Sequence, residues 1–348
     1  MRPAVVLVAT IAVAAAAGMA VSLTQRPSSS QHRSSPSPSV APTLPTNQPA
    51  VAFGFSVAAD LSTHTLVLFG GVDDFSVTWL WNGAAWVRAT PPTSPPGRYG
   101  ASEAYDPRSG EVLLFGGVLE AGQSTNDTWA WDGGAWQALD AGRGGPTGGG
   151  GSAMAWDPST NELVLVTPPP GGRGSGETWT WNGAHWVREV GGDLGTSFSR
   201  VVMAVDPLSN TLMAEGCCQS QPGNLLATLP ATWRWNGSRW IVLKTSVHPL
   251  DGSSMEVDPS LRRLVLCGCD LAGGLSPEMW VWNGADWTPG PYPRPPVAPQ
   301  AEVIDAADSQ FLVIGSAIAG ADALAQTLQV WTLRGTQWLR LGVDTGQG

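Results

Sequence analysis

The residues able to do chemistry are few, and their spacing argues for architecture more than for a reaction. Six aspartates recur in register, Asp60, Asp106, Asp157, Asp206, Asp258 and Asp305. Carboxylates repeated this evenly would suit calcium, but a short acidic side chain capping its own turn accounts for them without a metal. The histidines, His32, His64, His185 and His248, include no pair at metal-ligand spacing. The glycine-rich run from Arg143 to Gly151 lacks the lysine and the strand-to-helix setting of a phosphate loop, and reads as a flexible connection. Four cysteines, Cys217, Cys218, Cys267 and Cys269, stand at matching places in neighbouring repeats. One or two disulfides between those repeats are expected in an oxidising compartment, with a zinc site of four thiolates as the alternative. No cofactor is expected.

Whatever these residues do, a repeated element positions them. The phrase TWLWNGAAWV, from Thr78, returns as TWAWDGGAWQ, TWTWNGAHWV, TWRWNGSRWI, MWVWNGADWT and a worn copy, VWTLRGTQWL. Its first tryptophans are Trp79, Trp129, Trp179, Trp233, Trp280 and Trp331, with successive spacings of 50, 50, 54, 47 and 51 residues. A period near fifty with several strands per unit is the signature of a propeller. Tryptophans two apart share a strand face, and Asn-Gly between them and the third ring marks a hairpin. Loops of two or of four residues both leave all three rings on one face. Seventeen of the 18 tryptophans fill these slots, Trp156 being the exception, so they are assigned to the gaps between stacked sheets. A second hairpin precedes each phrase, most legibly at YGASEAYDPRSGEVLLFGG, from Tyr99 to Gly117. Four antiparallel strands per repeat and six repeats over residues 51–348 give an all-β, six-bladed β-propeller.

The order RYGAS (Arg98 to Ser102), YDP (Tyr105 to Pro107), LLFGG (Leu113 to Gly117), DTW (Asp127 to Trp129) and closing Trp136 resembles a kelch repeat, as in galactose-oxidase-type central domains. The resemblance implies a central mouth and closure by a borrowed terminal strand. Here the first repeat opens on its first strand and the last ends on its fourth, so closure without exchange is expected. It also implies an arginine facing the mouth at the place of Arg98. With Arg173 in a variable loop and Arg200 near an inner strand's start, Arg98 makes the candidate ligand-binding set. A copper-radical site of the resembled kind needs paired histidines and tyrosines with a crosslinking cysteine, and Tyr99, Tyr105 and Tyr292 cannot be matched to it. Nor do Arg98, Arg143 and Arg173 make a sialidase-type cluster. One rim carries the uniform DP and NG turns and the other carries variable loops, the usual home of recognition.

The net charge of -10, with Lys244 the only lysine, excludes a basic nucleic-acid footprint. Val5 to Leu23 is apolar or small and nearly a membrane span in length, so residues 1–25 read as an anchor or a signal peptide. Residues 26–50 are a Ser/Pro/Thr-rich disordered stalk. The expectation from sequence is an exported, membrane-tethered or secreted, monomeric propeller. It binds a protein or glycan of the cell envelope without catalysis; the alternative is a carbohydrate-active enzyme with its site at the central mouth.

Overall fold

The computed structural model describes residues 48–49, 53–140, 142, 144–169, 175–194, 198–218, 231–247, 249, 252–268, 279–293, 295–305, 310–317, 328–334 and 337–342. The apolar run, the stalk before residue 48, and Arg143 and Arg173 lie outside them. Six four-stranded antiparallel sheets follow one another along the chain, each with its strands in sequence order. Blade 1 is Ser56–Asp60, Thr65–Phe69, Thr78–Trp81 and Trp86–Ala89. The first strands of the other blades are Ser102–Asp106, Ala153–Asp157, Phe198–Asp206, Gly252–Asp258 and Val297–Asp305. First strands of successive blades lie against one another around the whole circle, Val297–Asp305 against Ser56–Asp60 included. They are therefore the innermost strands. Among the described residues no strand is exchanged at the seam; instead Leu328 N donates to Pro49 O at 3.2 Å, tying the segment before blade 1 to blade 6.

The hairpin of the tryptophan phrase has a four-residue loop, with Trp81 opposite Trp86 and the same pairing in blades 2 to 5. Asn82 shapes it by accepting from Ala84 N and Ala85 N at 3.0 and 2.9 Å, and Gly83 takes φ +91°. The paired rings meet at centroid distances of 5.1 to 5.5 Å in blades 1 to 5. Each such pair adds about 1 kcal/mol beyond the burial of its surface. Every blade turns these rings toward the blade before it. Trp181 and Trp186 pack on Leu113 and Phe115 of blade 2, and Trp79, Trp81 and Trp86 close the ring on Leu312, Ile314 and Val330 of blade 6.

A hydrogen bond accompanies four of these contacts. Trp136, Trp186, Trp240 and Trp287 each donate Nε1–H to the threonine at the first or second place of the third strand of the preceding blade, Thr78, Thr128, Thr178 and Thr232, at 2.9 to 3.0 Å. The other two junctions follow from sequence. Met279 replaces the threonine in blade 5, and Trp338 turns to Pro293 O at 2.8 Å. Val330 replaces it in blade 6, and Trp86 Nε1 is buried with no partner among the described residues.

Five of the six aspartates cap their turns; the side chain of Asp305 lies outside those described. Asp60, Asp157, Asp206 and Asp258 accept from backbone N–H groups and serines two or three residues on, and Asp106 accepts from Arg108. The glycine pair of LLFGG serves close backbone approach: a Cβ on Gly70 would run into the Arg98 carbonyl oxygen, and one on Gly117 would sit 2.9 Å from Tyr99 O.

Candidate functional site

Glutamate stands where the repeat puts small or apolar residues. Counting back from the turn aspartate, Glu103 occupies the position of Val57, Met154, Met203 and Met255, and the sixth repeat has Glu302 there. Glu256 occupies that of Ala58, Ala104, Ala155 and Ala204. Both lie on innermost strands, blade 2 for Glu103 and blade 5 for Glu256. Glu103 is the second residue of its strand, near the variable rim. Ser56 Oγ of blade 1 donates to its Oε1 at 2.8 Å, and its Oε2 is sealed from solvent with no partner among the described residues. Burial pushes the Glu103 carboxyl up to about 8, against the pull of the Ser56 hydrogen bond. Glu256 is pushed up to about 7 by burial, with Val257 N donating to Oε1 at 2.8 Å as the opposing influence. Ser254, two residues before it, has a buried hydroxyl without a partner among the described residues.

A third glutamate lies outside the innermost ring. Glu215, in the second strand of blade 4, takes the place of Phe69 and Phe115, which set their rings edge-on against Trp136 and Trp186 of the next blade. Thr232 Oγ1 donates to its Oε2 at 2.5 Å, and Oε1 has no partner among the described residues. Burial raises this carboxyl to about 8, with hydrogen bonds from Thr232 and Trp287 pulling it down. The sequence signal for all three is a charged residue in a register position that is apolar in most of the repeats.

Of the candidate arginines, Arg98 and Arg200 are among the described residues and Arg173 is not. Arg98 is buried rather than presented to the mouth. It grips Asp127 through two bonds of 2.6 and 3.0 Å, and also donates to Gly116 O at 2.9 Å and Pro96 O at 3.0 Å. Burial would raise Asp127, but bonds from Arg98, Trp129 and Thr125 and the guanidinium charge hold it below the usual carboxylate range. Arg98 thus fastens the Arg98–Tyr99 strand, paired with Val118–Leu119, to the third strand of its own blade. Arg200 lies in the first strand of blade 4 opposite Cys217, and its residue surface is exposed. Cys267 is buried between blades 5 and 6; the side chains of Cys217, Cys218 and Cys269 lie outside those described. Among the described residues, no group of three or more His, Cys, Asp or Glu could hold a metal, and no copper-radical or sialidase-type set is identifiable.

No family model and no curated protein matches this chain. Solved structures do match in fold. The structure of YjhT aligns with 85% of this chain and 99% of its own, at 13% identity and a TM-score of 0.55. A structure described as a novel fungal alcohol oxidase with catalytic diversity among the AA5 family, in complex with copper, aligns with 80% of this chain and 62% of its own. That match has 15% identity and a TM-score of 0.49. The fold is a six-bladed propeller resembling the kelch and galactose-oxidase central domain. One expectation is corrected. A purely non-catalytic binding module is not kept as the main reading, because the inner strands carry carboxyls raised by burial in places the repeat otherwise fills mostly with apolar residues. The enzyme alternative is carried forward on the carboxyl geometry, because the likeness itself is one of fold.

Proposed function

We propose that this chain is a carbohydrate-active enzyme with its site at the central mouth and Glu103 as proton donor. The observation that carries the reading is a carboxyl on an innermost strand, braced by Ser56 of the adjoining blade and raised to about 8 by burial. A glycosidic oxygen leaves readily only when it is protonated, so the reaction needs an acid that keeps its proton at neutral pH. Burial of a carboxyl is the usual means of providing one. Ser56 holds Oε1 and leaves the proton on Oε2, which is sealed from solvent in the resting chain and has to turn from between blades 1 and 2 to the mouth when a glycan binds. The setting proposed with it is an exported propeller acting on a glycan of the cell envelope.

The test is turnover of a panel of aryl glycosides and envelope polysaccharides by the full chain. Glu103→Gln should keep the fold and lower kcat by about 100-fold or more. Activity in the parent should fall as pH rises through about 8, where Glu103 loses its proton. A parent without turnover on the whole panel, or a Glu103→Gln variant as active as the parent, rejects the reading.

A further inference from the structure

The slot between blades 5 and 6 departs from the other junctions at one side chain in particular. Trp81, Trp131, Trp181, Trp235 and Trp282 occupy the second ring position of blades 1 to 5, each buried and paired with the ring opposite. In blade 6 that position is Leu333, opposite Trp338. The consequence appears on comparing equivalent places. Between blades 4 and 5, beside Asp206 and with Trp282 present, the space is about 150 Å³. Between blades 5 and 6, beside Asp258 and with Leu333 in the ring's place, it is a solvent-open cavity of about 860 Å³. That volume falls in the range of small-molecule sites.

The lining states what would fill it. Tyr292, from the connection between the blades, stacks on Phe311 at 6.3 Å and 27°, and with Leu261 and Leu333 gives the cavity an apolar wall. Asp258 is the carboxylate on this wall, and its oxygens already accept from Ser260 N, Ser260 Oγ, Leu261 N and Tyr292 Oη at 2.6 to 3.3 Å. Its lone pairs are taken up within the turn and by Tyr292, so it is not a hydrogen-bond acceptor for a ligand. Arg334, at the edge, is exposed, and its guanidinium has no hydrogen-bond or ion-pair partner among the described residues. A flat apolar platform with one available cation and a satisfied acid selects a ring with a carbon-bound face and a carboxylate on its rim.

We infer that the slot between blades 5 and 6 binds the ring of an acidic sugar, a hexuronate unit of a glycan, with the pyranose face on Tyr292 and the carboxylate on Arg334. The site is on the turn rim and does not depend on the mouth being catalytic. Titration of the full chain with trigalacturonate and with the neutral galactose trisaccharide, followed by calorimetry, tests it. The parent should bind the uronate about tenfold more tightly than the neutral sugar. Arg334→Gln should remove that difference, and Leu333→Trp, which restores the residue of the other five blades, should abolish binding with the circular dichroism unchanged. If Leu333→Trp fails to fold, Arg334→Gln decides alone. Equal affinity for the two sugars, binding of neither, or full uronate affinity in the Arg334→Gln variant or in a folded Leu333→Trp variant overturns the inference. So does tighter binding of 4-hydroxybenzoate than of the uronate.

Discussion

Glu103, Glu215 and Glu256 hold their protons more tightly in the folded chain than in an unfolded one, at about 8, 8 and 7 against an ordinary 4.5. Across pH 4.5 to 8 the folded state therefore carries more protons, and stability falls as pH rises through that window. Asp127 has the opposite sign. Its lowered carboxyl contributes stability above the ordinary carboxylate range, lost as pH falls through its folded value. A melting-temperature profile should thus peak on the mildly acidic side and decline toward pH 8. Glu215→Leu should flatten the alkaline limb and gain on the order of 1 kcal/mol at pH 8, because it removes a buried carboxyl with one unsatisfied oxygen. A chemical melt at pH 5 and at pH 8 measures both effects. Single residues were the least legible part of the sequence. The kelch resemblance suggested a ligand for Arg98, and its actual partner, Asp127, was not legible because it stands 29 residues away in a different motif. The burial of the three glutamates was not legible because it depends on which neighbour a strand face meets.

Elements were legible wherever a local rule is repeated. Asn-Gly and Asp turns have their form from side chains bonding within a few residues, and six copies made the pattern plain. The bonds between blades were not legible, since each joins residues 55 to 62 apart and becomes visible only once the facing of the blades is known. They make sharp predictions. Thr128→Val leaves Trp186 Nε1 buried without an acceptor and should cost about 1 to 2 kcal/mol. Val330→Thr places a hydroxyl where Trp86 Nε1 lacks one and should gain up to about 1 kcal/mol. Urea melts of the two variants, alone and combined, measure these increments. The turn after Asp258 stores strain of another kind. Arg262 takes φ +52°, where the equivalent turns have His64, Gly110, Asn161 and Asn210, all at positive φ. Arg262→Asn should recover on the order of 1 kcal/mol in the same assay.

At the scale of the whole molecule, the number of blades and their order were legible from a single periodic residue type. Which face of each sheet carries the rings was not. All six blades present indoles to the blade before and mainly aliphatic or phenyl side chains to the blade after, so the ring has a direction of travel, as in a head-to-tail assembly. A cut between blades 3 and 4 would give two half-circles, each with one donor end and one acceptor end of the same kind. Two different halves should therefore reunite when produced together. A single half is self-complementary and should pair with its own copy into a closed twofold ring, a dimer detectable by its mass in solution. Arcs that stay monomeric at micromolar concentration would mean that adjoining blades recognise individual partners and not a shared mating surface.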